Sequence, residues 1–213
     1  MKEMKIPDAT IKRISQYSRP LEKLLEQGVR VVSSERLAQL CEVNPAQVRK
    51  DLSYFGEFGV RGIGYDVREL LREIERILAS DKEWKLCIVG LGNLGMALVG
   101  HENFKKRGYI FVAAFDNDPR KVGQRLPTGH VIEPTKRIPQ LTQELGIEIG
   151  VIATPPRAAQ ATADLLIESG VKAILNFAPI QVRRPECCLV ENVDFSVSLD
   201  NLAYHLGKED SEP

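Results

Sequence analysis

Gly90-Leu91-Gly92-Asn93-Leu94-Gly95 has the spacing that lets a backbone wrap a pyrophosphate. The motif directly follows the apolar run Lys85-Leu86-Cys87-Ile88-Val89, so it stands between a predicted strand and a predicted helix, the context it requires. There Gly90 makes the tight turn, Gly92 leaves the phosphates room against the chain, and Gly95 lets the helix lie close to the strand. The helix start adds unpaired N–H groups and the positive end of a dipole. A second chemical signal is Asp116, which closes the apolar run Ile110–Phe115, 21 residues beyond Gly95. A carboxylate at that point accepts hydrogen bonds from ribose hydroxyls and repels a 2′-phosphate. The expected ligand is therefore NAD(H) rather than NADP(H), with Arg120 and Lys121 close enough in sequence to weaken the preference. Two more loops follow apolar runs: Thr154-Pro155-Pro156 after Ile147–Ala153, and Asn176-Phe177-Ala178-Pro179 after Ala173–Leu175. Open α/β sheets bind ligands at such strand ends, so Thr154, Pro155, Phe177, Ala178 and Pro179 are candidates for the nicotinamide end. That the prolines only shape loops is the alternative.

A second constellation lies nearer the N-terminus. Ser33-Ser34-Glu35 opens a short helix with apolar Leu37, Ala38 and Leu40, and Cys41-Glu42-Val43 makes a turn. Asn44 then caps a helix with Pro45 at its first position, predicted over Ala46–Phe55 and ending at Gly56. Two short helices joined by so tight a turn form a helix-turn-helix. The second buries Val48 and Leu52 and offers Gln47, Arg49, Lys50 and Ser53 on its other faces, the polar and basic groups that a major groove accepts. Tyr54–Tyr65 is aromatic and glycine-rich and reads as a β-hairpin wing with Arg61 near its tip. Ser34, Asn44, Gln47, Arg49, Lys50, Ser53, Tyr54 and Arg61 are the candidate DNA contacts. A small helical interaction domain with solvated surface charges is the alternative.

These groups need a scaffold. Before Ser80-Asp81 the pattern is helices and turns: one helix from Asp8, its expected N-cap, with a break at Pro20 and a stop at Gly28, and another from Asp66 to about Ala79. Beyond it, short apolar runs alternate with helical stretches, the pattern of a parallel sheet covered on both faces. The expected domains are 1–80 and 81–195, with 196–213 forming a terminal helix and a frayed tail. The class is α/β, a winged helix-turn-helix joined to a Rossmann-type, doubly wound sheet.

Composition excludes more than it selects. The formal charge is zero, and residues 1–80 hold 14 Lys and Arg against 12 Asp and Glu, so a DNA reading rests on charge placement. There is no apolar run long enough for a membrane span and no secretory leader, which points to the cytoplasm. Cys41, Cys87, Cys187 and Cys188 lack metal-ligand spacing and read as reduced thiols, so no metal is expected. A redox-active Cys187-Cys188 pair is the alternative. No residues remain for a substrate domain, and none of His101, His130 and His205 adjoins a strand-end loop as a base would. No catalytic residue is assigned, and a binding protein is expected. Two other classes remain open, a coenzyme A- or nucleotide-binding regulator and a small oxidoreductase.

The stretch Gln47–Gly56, then Arg61–Tyr65, Gly90–Gly95, Asn176–Pro179 and Glu191-Asn192-Val193-Asp194-Phe195 together resemble, in order and over nearly the whole chain, the Rex family of bacterial redox-sensing transcriptional repressors. The resemblance implies a homodimer that binds double-stranded, pseudo-palindromic operator DNA when NADH is low. NADH, favoured over NAD+, would release it. It also implies that a helix at about Ser196–Leu206 is exchanged between subunits, and that Arg49 and Lys50 lie on the recognition helix with Arg61 in the minor groove. Asp194 and Arg19 would form a switch. Asn93 and His101 depart from the family pattern: a basic residue can stand at the first, and an aromatic hydroxyl that joins the switch at the second. A His101–Asp194 pair would make DNA release pH-sensitive, and an exposed helix histidine is the alternative.

Overall fold

The structure, a computed structural model, describes residues 6–60, 62–183 and 185–209. The chain divides between Lys82 and Glu83 into two compact units.

The first unit begins with α1 (Asp8–Glu26), followed by β1 (Val31–Val32), α2 (Ser34–Leu40), α3 (Pro45–Ser53), β2 (Tyr65–Asp66) and α4 (Val67–Ile77). Helix α1 runs unbroken through Pro20, where a break was expected. The missing N–H would have bonded to the carbonyl of Gln16, an exposed residue that water can serve instead. The N-cap is Pro7, not Asp8, which falls in the first turn where its charge favours the helix dipole. Helix α3 starts at Pro45 and ends at Ser53, short of the predicted Phe55, and α4 ends at Ile77, short of Ala79. Ala79 has φ 50, a left-handed backbone that stops a helix. Ile14, Tyr17, Leu21, Leu37, Val48, Leu52, Leu70 and Ile74 form the core of this unit.

The second unit contains β3 (Trp84–Val89), α5 (Asn93–Val99), α6 (Glu102–Lys106), β4 (Tyr109–Asp116), β5 (Ile132–Pro134), α7 (Ile138–Leu145), β6 (Ile149–Ile152), α8 (Pro156–Glu168), β7 (Ala173–Asn176), β8 (Leu189–Asn192) and α9 (Phe195–Glu209). Its sheet has the order β5-β4-β3-β6-β7-β8, every neighbouring pair parallel, which is the Rossmann order. Alternation along β3 sends Leu86 and Ile88 to one face, Cys87 and Val89 to the other. The register shifts between Leu86 and Cys87, leaving Val112 as an extra residue in β4. Phe111 and Ala114 therefore share one face while Ala113 and Phe115 share the opposite one. The chain switches direction across the sheet between β3 and β6, so the loops after β3, β6 and β7 converge at one end.

Candidate functional site

Each unit holds one candidate site. In the first, Ser33 caps α2 by accepting from the Arg36 N–H, and the Asn44 side chain caps α3 by accepting from the Gln47 N–H at 2.8 Å. Asn44, also a candidate DNA contact, thus caps the helix as its position predicts. Val48 and Leu52 are buried as the spacing predicts, leaving Arg49, Lys50 and Ser53 exposed. Arg49 Nη1 donates to Ser34 Oγ at 2.8 Å and lies 3.4 Å from Glu35 Oε1, which brings two of the expected contacts together. Ser53 Oγ donates to the Lys50 carbonyl, and Tyr54 is half-buried at the C-cap.

The wing is a tight turn closed by paired hydrogen bonds between Val60 and Gly64, running into β2, which pairs antiparallel with β1. Gly64 has φ +115, and a Cβ there would stand 2.5 Å from the Val32 carbonyl oxygen, so only glycine lets the wing seat on β1. Arg61 lies outside the described residues. Between α2, α3 and the wing is an open groove of about 760 Å³ lined by Ser34, Glu35, Arg49, Ser53 and Gly62.

Sequence reasoning overlooked Asp51, fully buried in α3. Its carboxylate accepts from Arg13 Nε and Nη2 at 2.7 Å each, Tyr17 Oη at 2.7 Å, Gln47 Nε2 at 2.8 Å and Thr10 Oγ1 at 3.2 Å. Burial alone would raise its pKa, but these donors outweigh burial and hold the carboxyl below the usual range. Burial and the same carboxylate push the Tyr17 phenol up. Asp51 lies three residues after Val48 and directly before Leu52, on the apolar face of α3. A carboxylate there must find a cation, and that was the available signal.

In the second unit the fingerprint adopts the predicted strand–loop–helix. Gly90 has φ +98, and a Cβ there would meet the Ala153 carbonyl oxygen at 2.6 Å; one on Gly95 would stand 1.9 Å from the Gly90 carbonyl oxygen. The fold itself demands those two glycines. Gly92 differs: φ −77 and ψ −169 suit any residue, and a Cβ would meet nothing within 4 Å. Leu91 is buried, while Asn93 and Leu94 are exposed at the start of α5. Asp116 Oδ2 accepts from the Leu91 N–H at 2.8 Å and from Lys121 Nζ at 3.0 Å, and Oδ1 accepts from the Asp118 N–H at 2.9 Å. Burial opposes the charge, yet these bonds lower the Asp116 pKa. Arg120 pairs with Asp118 instead.

At the end of β6, Thr154 Oγ1 is buried and has no hydrogen-bond partner among the described residues. At the end of β7, buried Asn176 staples the next loop: Nδ2 donates to the Ala178 and Ile180 carbonyls and to Asn192 Oδ1, while Oδ1 accepts from the Ala178 N–H. This fixes half-buried Phe177 and buried Ala178, with Pro155 and Pro179 exposed. Phe177 stacks on Phe195 of α9, ring centroids 6.2 Å apart.

Of the candidate switch residues, His101 and Asp194 both lie at helix starts. His101 caps α6 by accepting from the Asn103 N–H, and Asp194 caps α9 by accepting from the Ser196 N–H and hydroxyl. Ser196 also lowers the Asp194 pKa. Among the described residues no hydrogen bond or ion pair joins His101 to Asp194. Arg19 is exposed on α1. Among the described residues no group of three or more His, Cys, Asp or Glu could hold a metal, and no helix is long and apolar enough to cross a membrane.

Residues 5–53 match the family described as "Putative DNA-binding protein N-terminus", and residues 81–180 match the family described as "CoA binding domain". The chain is 56% identical over 206 residues to a redox-sensing transcriptional repressor Rex of Syntrophobacter fumaroxidans, covering 97% of this chain and 98% of that protein. A redox-sensing transcriptional repressor Rex of Solidesulfovibrio magneticus is 47% identical, with full coverage of both chains. Among solved structures, the Rex-family repressor RSP in complex with β-NAD+ and operator DNA superposes with TM-score 0.91 at 36% identity, over 97% of this chain and 95% of that one. RSP in complex with β-NADH superposes with TM-score 0.88 at 35% identity, over 96% of each chain.

Proposed function

This chain belongs to the Rex family of redox-sensing transcriptional repressors, and from that premise we propose how its two units divide the work. It binds operator DNA through its first unit and senses NADH against NAD+ through its second. The family acts by repression, not catalysis.

The observation that carries the ligand reading is Gly92. Nothing in the protein requires a glycine there, so its missing side chain is room for a ligand. Around that room are the N–H groups opening α5, contributed by Gly92, Asn93, Leu94 and Gly95, for a pyrophosphate. Asp116, already ordered by the Leu91 N–H, serves the adenosine ribose. Thr154 Oγ1, Pro155, Phe177, Ala178 and Pro179 face the nicotinamide. NADH and NAD+ differ there by a hydride and a positive charge. The apolar loop held by Asn176 disfavours the charged ring through desolvation, which makes NADH the preferred ligand. The Phe177–Phe195 stack links that loop to α9, so its occupancy is felt at the start of the terminal helix.

The chain works as a homodimer in the cytoplasm, on a pseudo-palindromic operator. Helix α9 supports the dimer: Phe195, Val197, Leu199, Leu202, Tyr204 and Leu206 are all more than half exposed, a helix of apolar side chains that another copy covers by exchange. Arg49 and Lys50 enter the major groove beside Gln47 and Ser53, Arg61 approaches the minor groove, and Ser34 and Tyr54 contact the backbone. Arg19 and Asp194 form the switch that distinguishes the two states.

The deciding experiment titrates a labelled operator by fluorescence anisotropy at fixed salt with NADH, NAD+ or neither. Tight binding abolished by NADH and spared by NAD+ is expected. Binding indifferent to both nucleotides would overturn the sensor reading, and coenzyme A would be the next ligand to test.

A further inference from the structure

Thr10, Arg13 and Tyr17 stand at helical spacing on one face of α1, and all three donate to the single carboxylate of Asp51 on α3. The fourth donor group is Gln47, one turn before Asp51 in the same helix. An ionised carboxylate only accepts hydrogen bonds, and this one, with five of them, has no capacity left. The orientation of Gln47's amide is therefore dictated chemically: Nε2 must face Asp51 and Oε1 must face away. Gln47 is the third residue of a helix whose N-terminal half is offered to the major groove, and it remains half-exposed.

We infer that Asp51 is a positioning residue for DNA recognition: by gripping Gln47 Nε2 it turns Oε1 toward the groove, so Gln47 selects a base presenting an exocyclic amino hydrogen there. The inference rests on the DNA-binding reading of α3. In the major groove only adenine N6 and cytosine N4 offer such a donor, while guanine and thymine offer acceptors. Adenine fits best, because the second Nε2 hydrogen of Gln47 stays available for its N7. Without Asp51 as a fixed acceptor, the amide is free to flip and accept either kind of base. The same carboxylate locks α1 to α3, so the orientation of the reading helix and of the reading atom are set by one group.

The test uses the full-length protein and symmetric operator duplexes in which, one position at a time, the amino group of an adenine or cytosine is replaced by hydrogen. Affinities are measured by anisotropy for wild type, Gln47→Ala and Asp51→Ala. At one position per half-site, removing the amino group should weaken wild type about tenfold and leave Gln47→Ala unaffected. Asp51→Ala, which removes the acceptor, should lose most of that penalty and gain tolerance for guanine or thymine at the same position. A purely structural Asp51 would lower affinity evenly across all duplexes and leave the preference intact, which would overturn the inference. So would a Gln47-dependent position occupied by guanine or thymine. Should Asp51→Ala fail to fold, the wild-type Gln47 side-chain amide decides by NMR: one Nε2 hydrogen protected from exchange supports the clamp, and two freely exchanging hydrogens overturn it. Wild type binding the operator no more tightly than random DNA would overturn the DNA-binding reading itself, whereas intact operator binding with no Gln47-coupled position removes only this inference.

Discussion

Two alanine substitutions three residues apart should have opposite consequences. At Gly95 an added Cβ would lie 1.9 Å from the Gly90 carbonyl oxygen, far inside van der Waals contact with backbone that cannot rotate away. Strand β3 and helix α5 must separate, an overpacking cost of roughly 1–3 kcal/mol or more. That translates to a fall of roughly 3–10 °C in the Tm of the second unit. At Gly92 the Cβ meets nothing and the backbone is unstrained. Alanine caps a helix less well than glycine by roughly 0.5–1 kcal/mol, and reduced freedom of the unfolded chain offsets that by about 0.4–1 kcal/mol. Gly92→Ala should therefore melt within about 3 °C of wild type. The new methyl, however, stands in the space assigned to the pyrophosphate, so NADH affinity should fall at least about tenfold, some 1.4 kcal/mol. Differential scanning fluorimetry and isothermal titration with NADH read both quantities. Gly92→Ala binding NADH like wild type would refute the assignment of that space to a ligand, and Gly95→Ala melting like wild type would refute the packing argument.

Asp116→Ala should weaken NADH and NAD+ by similar factors in calorimetric titrations, because the carboxylate serves the end of the dinucleotide that the two share; a large change in their ratio would contradict this. Because its bonds hold the Asp116 pKa below the unfolded value, the carboxylate contributes stability above about pH 4 that is lost as pH falls through the folded pKa. Denaturant titrations of wild type and Asp116→Asn should accordingly converge toward acid pH. Arg49→Ala or Lys50→Ala should cost roughly 1–3 kcal/mol of operator affinity where the side chain reads a base edge, and retained affinity in both variants would remove them from the interface. Leu199→Glu combined with Leu202→Glu should shift a dimer toward monomer in sedimentation velocity without lowering helicity, and an unchanged dimer would place the interface elsewhere.

What could be read without coordinates was what depends on near neighbours in the chain. The Asn44 cap, the Gly90–Gly95 turn and the buried Val48–Leu52 pair each follow from residues within a few positions of one another, and each is found. The long-range partners were hidden. Strand β1 is two valines that extend only because Gly64 lets the wing lie against them, and β5 ends in Pro134, a residue that argues against a strand except at an edge, where β5 lies. Asp51 was missed because four of its five hydrogen bonds come from outside its own turn or from α1, more than thirty residues earlier. The expected break at Pro20 failed for the converse reason: a local rule yielded to an exposed carbonyl and to Ile14, Tyr17, Leu21 and Leu24 packing the helix down on both sides. His101 and Asp194, both candidate switch residues, each cap their own helix start, a local role that the sequence reading did not assign them.

The contact between Arg49 and Glu35 has a consequence for how salt acts on this protein. Such a surface pair is worth only about 0–1 kcal/mol, but on the proposed assignment of Arg49 to the DNA interface it makes Glu35 a built-in competitor for that cation. Added electrolyte loosens the internal pair as well as the contact with DNA, so part of the ionic-strength penalty cancels at this residue. The slope of log affinity against log salt should then undercount the cations at the interface by a fraction of one, and Glu35→Gln should steepen it. The same competitor lowers the attraction of Arg49 for arbitrary duplex, where no base contact compensates its release. A carboxylate beside the reading helix thus trades a little affinity for a larger gap between the right sequence and all others.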